Sequence, residues 1–248
     1  MELGLNGKRA AVAASSGGLG FGVAAALAAE GASVVVNGRD TDRAEAAAAR
    51  IGARAVPGDV GTVDGALAFV GAAAELLGGI DVLVTNAGGP PAGTFTDFTD
   101  DIDQYRAALE LNCLSVVAMC NVAVPGMRAR GWGRVVAITS ISVRQPIPHL
   151  VLSNTARAGA TGFLKTLATE VAPDGVTVNS LQPGLHDTDR LRTLYGGDAS
   201  AAARGIPVGF LGDPADFGAV AAFLCSDHAR FVTGTAIPVD GGASGGLQ

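Results

Sequence analysis

Short runs of apolar, often β-branched residues alternate along the whole chain with longer stretches whose apolar positions recur every three to four residues. The first pattern predicts strands buried on both faces, and the second predicts helices lying against them. Residues 10–14 read as a first strand, 19–30 as an Ala-rich helix stopped by Gly31, and 33–37 as a second strand. Helix is then expected over 42–51, strand over 53–57, helix over 62–77 and strand over 80–85. A long helix over 103–130 follows, with a kink or break expected at Pro125, because proline lacks the N–H that a helix interior needs. Strand 134–139, helix 153–172, strand 176–181, helix 214–225 and strand 235–239 complete the alternation, and the periodicity fades between 185 and 212. No linker, long polar run or short-period repeat divides the chain. The expectation is one α/β domain over residues 1–248, a Rossmann-type doubly wound parallel sheet of about seven strands with helices on both faces.

Composition narrows the partners. The 248 residues are 48% hydrophobic and 16% charged, enough apolar material for a large core. A net charge of −6 argues against nucleic acid or an anionic membrane surface as a main partner. Cys113, Cys120 and Cys225 lack metal-type spacing, and three thiols cannot all pair internally; reduced thiols in a cytosolic protein are expected. His149, His186 and His228 are scattered, so no metal site is expected. The first residues lack a basic segment followed by an apolar one, and no uncharged apolar run is long enough to span a bilayer. A cytoplasmic protein acting on a small molecule is the expectation.

The first candidate chemistry sits where strand gives way to helix, at Ser15-Ser16-Gly17-Gly18-Leu19-Gly20. Unpaired N–H groups at a helix N-terminus carry partial positive charge and suit a pyrophosphate, and glycines allow close approach. The spacing departs from G-x-G-x-x-G, so a tight structural turn is the competing reading at this point.

Several further motifs follow in a fixed order, and together they resemble the short-chain dehydrogenase/reductase family over nearly the whole chain. Residues 13–20 are similar to the family's TGxxxGxG turn, with Ala13 and Ala14 in place of its Thr and first Gly. Asp59-Val60 matches the pair beside adenine, Asn86-Ala87-Gly88 the loop beside the cofactor, and Asn112 the active-site Asn of the long helix. Ser140 closes a strand as the catalytic Ser does, and Asn179, Pro183-Gly184 and Thr188 match the segment that seats the nicotinamide carboxamide. Residues 206–209 and 239–242 fit the C-terminal pattern. The resemblance implies cofactor contacts from Ser15, Ser16, Gly18, Leu19, Gly20, Asn37, Arg39, Asp59, Val60, Asn86, Ala87, Gly88, Arg157, Pro183, Gly184 and Thr188. It also implies a resemblance to 3-oxoacyl reductases, a substrate lid within about 185–212 and a homotetramer, or a dimer at least, formed through the low-charge surfaces at 107–123 and 164–172.

One departure outweighs the matches. The family's Tyr lies thirteen residues after the Ser, with a Lys four further on; here those places hold Ser153 and Arg157. The two tyrosines are elsewhere: Tyr105 falls where the family keeps a structural aromatic, and Tyr195 lies in the lid region. A serine hydroxyl is a far weaker acid than a phenol, and a guanidinium binds ribose hydroxyls but relays no proton. Ser153 and Arg157, one helical turn apart, should share a face. The implied catalytic set is therefore Asn112, Ser140, Ser153 and Arg157.

Three outcomes are compatible with that set. A reductase could take its proton from water held by Ser153, Ser140 and Asn112, or from His149 or Tyr195. The substrate could need little acid help, as an iminium or activated C=C does. Or the chain could bind the cofactor without turning it over. Cofactor choice is better determined: Gly38 occupies the place of the acid that binds ribose hydroxyls in NAD-preferring folds, and Arg39 follows. A guanidinium there pairs with a 2′-phosphate, so NADP(H) is expected. The arginines of the lid read as solvated charges, with an acidic substrate as the competing reading.

Overall fold

The computed structural model describes residues 2–195 and 200–246. Among them seven strands form one parallel sheet in the order β3-β2-β1-β4-β5-β6-β7. The strands are β1 (Arg9–Val12), β2 (Ser33–Gly38), β3 (Arg54–Pro57), β4 (Val82–Thr85), β5 (Gly133–Ile138), β6 (Val176–Pro183) and β7 (Ala236–Val239). The helices are α1 (Gly18–Ala29), α2 (Thr41–Arg50), α3 (Val63–Leu77), α4 (Ile102–Leu109), α5 (Ser115–Arg130), α6 (Val151–Val171), α7 (Asp189–Leu194) and α8 (Pro214–Cys225).

Alternation along the strands feeds two cores. Ala11, Leu83, Val135 and Ala137 point to the face covered by α3, α5 and α6, where Phe69, Met119 and Met127 are packed. Ala10, Val12, Val82, Val84, Val136 and Ile138 point to the opposite face, against Val23, Leu27, Phe217 and Leu224 of α1 and α8. Both faces being buried explains why the strands read as continuous apolar runs. Helices α1 and α8 cross closely: a Cβ at Gly22 would collide with the Pro214 carbonyl, and one at Gly218 with the Gly22 carbonyl. This contact holds α8 against the helix that starts at the glycine-rich turn.

The long helix corrects an expectation. Pro125 lies inside an unbroken α5, on its exposed side. The interruption comes earlier, at Glu110–Leu114, where the chain widens into a π-turn between α4 and α5. Such a turn accommodates one extra residue in a helix and is frequent at functional sites. The 29 residues Ile102–Arg130 are long enough to span a membrane and contain an 18-residue stretch of mean hydropathy 1.7. Its apolar side chains, among them Val116, Met119, Ala123 and Met127, are those of the core.

Candidate active site

Strand order reverses beside β1, and the carboxyl ends of β1, β4, β5 and β6 open there into one crevice, the usual place for a ligand in a doubly wound sheet. Helix α1 begins at this edge. Its N-cap, Gly17, offers no side-chain hydrogen bond and its first turn has no acid, so its orphan N–H groups face outward without a partner from a capping side chain. Gly20 is packed under the turn, where a Cβ would meet the Ala14 carbonyl and, at 2.9 Å, the Asn86 amide. Gly38 is equally confined, with Ser16 Oγ 2.6 Å from where a Cβ would lie. These cradles and the uncapped helix start fit a dinucleotide phosphate.

The structure separates the predicted cofactor residues into scaffold and surface. Ser15 is fully buried; its hydroxyl donates to the Val12 carbonyl at 2.7 Å and accepts from the Asn37 N–H at 3.0 Å. Asn37, also buried, accepts from the Ala14 N–H and donates to the carbonyls of Val56 and Gly58. These two side chains lie behind the turn and fix its shape, so direct cofactor contact through them is corrected to a supporting role. Their hydrogen-bonding capacity is consumed within the protein. Asn86 has a similar tie, donating to the Ala14 carbonyl at 3.1 Å and so locking the 86–88 loop to the turn. Ser16, Gly18 and Leu19 are partly accessible on the turn, as are Ala87 and the exposed Gly88 on the loop. Val60 is buried, and Asp59 is exposed, accepting from the Gly61 N–H.

Arg39 is exposed just beyond β2 and forms no ion pair among the described residues. A second cation that the sequence reading missed lies nearby: Arg43 places Nη2 3.7 Å from the Cβ position of Gly17. Its signal was available, since Arg43 is four residues after Arg39 and opens α2.

The other end of the crevice collects the residues expected to handle substrate. The π-turn turns Asn112 inward, where it is buried, donates to the Gly88 carbonyl at 2.8 Å and leaves its Oδ1 buried with no hydrogen-bond partner. Ser140 caps the 3-10 turn after β5 by accepting from the Ser142 N–H at 3.1 Å. Ser153, in the first turn of α6, accepts from Arg157 Nε at 3.2 Å. Arg157 spends most of its donor fork on the protein, reaching the carbonyls of Ile138 at 3.2 Å, Thr139 at 3.0 Å and Gly88 at 3.5 Å. Burial pushes its pKa down to about 10, helped by the nearby Arg190 cation, which leaves it charged at neutral pH.

Pro183 and Gly184 end β6, with Gly184 pressed against Asp240. Thr188 caps α7 through Leu191 and lies over the turn, its Cγ2 3.6 Å from the Cβ position of Gly18. Asn179 is buried within β6, where it donates to the Val232 carbonyl and accepts from the Thr235 N–H, tying β6 to the segment that leads into β7. His149 is exposed, with φ +62°, on the rim of a surface hollow that also involves Phe95, Ile147 and Asn154. Tyr195 is exposed at the end of α7. Tyr105 packs edge-on against Phe98 in a small cluster with Leu152 and Ala156, a structural aromatic as expected. The segment 185–212, expected to form a substrate lid, holds α7 and a 3-10 stretch, Ser200–Gly205, while 196–199 lie outside the described residues. No group of metal-ligating side chains occurs among the described residues.

Comparison with known proteins agrees with this architecture. A family model described as Enoyl-(Acyl carrier protein) reductase matches residues 13–244. Dehydrogenase/reductase SDR family member 4 of Homo sapiens is 35% identical over 246 residues, covering 96% of this chain and 88% of that protein. D-beta-hydroxybutyrate dehydrogenase of Cupriavidus necator is 34% identical, covering 96% and 98%. Among solved structures, L-sorbose reductase of Gluconobacter frateurii, complexed with NADPH and L-sorbose, superposes with a TM-score of 0.90 at 34% identity and covers 100% of both chains. A 3-oxoacyl (acyl-carrier-protein) reductase of Agrobacterium tumefaciens with NADP bound gives 0.90 at 32%, covering 97% and 96%. The seven-stranded parallel sheet, the cradle at the start of α1 and these relatives place the chain in the short-chain dehydrogenase/reductase family of oxidoreductases.

Proposed function

We propose that the chain is an NADP(H)-dependent reductase of a ketone, 3-oxoacyl-like or other, whose proton comes from water instead of a phenol. The observation that carries this reading is Asn112: a buried amide whose Nδ2 holds Gly88 while its Oδ1 lacks a donor. A buried acceptor without a partner is costly, and a water between Asn112, Ser140 and Ser153 would satisfy it. When bound, NADPH supplies the hydride. The turn at 17–20 would hold the pyrophosphate, and Arg39 and Arg43 the 2′-phosphate. Ser140 and Ser153 orient the carbonyl oxygen through their hydroxyls. Arg157, bonded to Ser153, would place positive charge beside the carbonyl oxygen where negative charge builds up. Water then donates the proton, and the hydroxide left behind is neutralised by solvent. The NADPH- and NADP-bound relatives support the choice of cofactor. The same reading includes a homotetramer or homodimer in the cytoplasm.

The test is NADPH oxidation against ketones, imines and enones for wild type and Ser153→Ala. An orienting Ser153 predicts a loss of roughly tenfold to a hundredfold, about 1.4–2.7 kcal/mol, whereas loss of a direct proton donor costs roughly a hundredfold to ten-thousandfold. Turnover of imines or enones with none of ketones would move the reading to a substrate that needs little acid help. Cofactor binding without turnover of any of them would leave a binding protein.

A further inference from the structure

Two guanidinium groups meet consecutive carbonyls on one wall of the crevice. Arg157 reaches the Gly88 carbonyl at 3.5 Å from α6, and Arg190 reaches the Gly89 carbonyl at 3.5 Å from α7. Arg190 lies so close over Gly89 that a Cβ there would collide with its guanidinium. Among the described residues neither arginine has a carboxylate within ion-pair distance. Of the acids flanking Arg190 in sequence, Asp187 is bound at 2.9 Å by both Nε and Nη2 of Arg192, and the exposed Asp189 forms no ion pair with Arg190 among the described residues. The two like charges repel each other with no counter-charge on the wall, and Arg157 bears a burial cost in addition.

We propose that Arg157 and Arg190 form a receptor for a carboxylate carried by the substrate, which makes the substrate an oxo acid. This deepens the reductase reading and rests on it. Carboxylate is the planar anion that a guanidinium fork matches, and a charge-assisted contact outweighs the long bonds to Gly88 and Gly89 that it would replace. The placement separates this anion from the cofactor's own phosphates. Thr188 faces the Gly18 end of the crevice, where the uncapped start of α1 lies. Arg190 extends from the same segment to Gly89, beside the carbonyl that Asn112 and Arg157 share. Arg157 already has its Nε on Ser153, so an anion received here would hold its neighbouring carbonyl group near Ser153 and Ser140. The charge that Arg157 and Arg190 impose on each other would be relieved by the bound carboxylate, which accounts for two arginines being kept in one crevice without acids.

The test measures calorimetric binding of acetoacetate, 4-oxopentanoate and their methyl esters to the NADP⁺-loaded protein, with NADPH oxidation followed in parallel. Wild type should bind at least one acid roughly tenfold to a hundredfold more tightly than its ester. Arg190→Gln should abolish that preference and Arg190→Lys should restore part of it, with NADP⁺ affinity changed less than about twofold. Equal binding of acids and esters, including no binding of either, overturns the proposal. A large loss of NADP⁺ affinity in Arg190→Gln with the acid preference retained also overturns it, assigning Arg190 to a cofactor phosphate. A preference for acids without oxidation of NADPH by any compound sustains the anion receptor and removes the reductase reading; turnover of esters as fast as acids does the reverse.

Discussion

A single methyl group strains the glycine-rich turn. Ala14 sits at φ +44°, a left-handed conformation that costs a residue with a Cβ about 1–2 kcal/mol. The turn is held there by the Asn37 side chain on the Ala14 N–H and the Asn86 side chain on its carbonyl. Ala14→Gly should relieve the strain and, after the added freedom of the unfolded chain, stabilise the protein by about 0.5–1 kcal/mol, measurable by urea unfolding. Arg39→Ala should weaken NADPH binding by on the order of 1.5–3 kcal/mol while leaving NADH nearly unchanged. Arg43, close to the same turn, should make the loss fall toward the lower figure; equal losses for both cofactors would refute the assignment to a 2′-phosphate. Residue types at the turn and in the crevice were legible in the sequence because close approach and positive charge have short local signatures. The inward burial of Ser15 and Asn37 was not legible. Whether a hydroxyl or amide faces ligand or carbonyl depends on strands brought together from positions 22 and 19–21 residues apart.

At the level of elements, the start of β4 is pinned by charge. Asp81 accepts from the Arg9 side chain at 2.6 and 2.7 Å and lies 3.3 Å from Arg130, joining β1, β4 and the end of α5. Burial works against its ionisation, but the Arg9 hydrogen bonds and the charges of Arg9 and Arg130 outweigh it, and the carboxyl is held below its usual range. A depressed carboxyl pKa contributes stability above the unfolded value of about 4, and that contribution disappears as pH falls through the folded value. Asp81→Asn should therefore cost about 1–3 kcal/mol at pH 7, and the difference from wild type should shrink on acidification below about pH 4. A constant difference would show that packing, and not charge, is lost. The strands and helices themselves were readable because both sheet faces are buried, which makes the strands continuous apolar runs, and because α3 and α5 end at Gly78 and Gly131. The break in the long helix was misplaced to Pro125, since a proline on an exposed side is tolerated whereas the widening at 110–114 has no residue-type signature.

For the whole molecule, the surfaces expected to mediate assembly are divided. Ala108, Ala118, Ala123, Leu164 and Ala168 face the chain's own interior, leaving Ala107, Leu114 and Asn121 of the α4–α5 segment outward, while the outward residues of 164–172 include the charged Lys165 and Glu170 beside Thr166 and Thr169. The small, uncharged outward residues are instead Ala107 in α4 and Ala158, Gly159 and Gly162 earlier in α6, where helices can pack closely, and Phe231, almost fully exposed near β7, offers a second apolar contact. Light scattering at micromolar concentration should give a dimer or tetramer, and a monomer would contradict the assembly. The π-turn has a different consequence at this scale. One surplus residue there is looped outward from the helical phase, so α4 and α5 meet the core with the faces they would have if it were missing. Deleting Cys113 should heal the helix, change the melting temperature by only about 2–4 °C, the shift that about 1 kcal/mol makes in a domain of this size, and take Asn112 away from Gly88. The molecule would then keep its shape and lose the placement of Asn112 on which the proposed reduction relies.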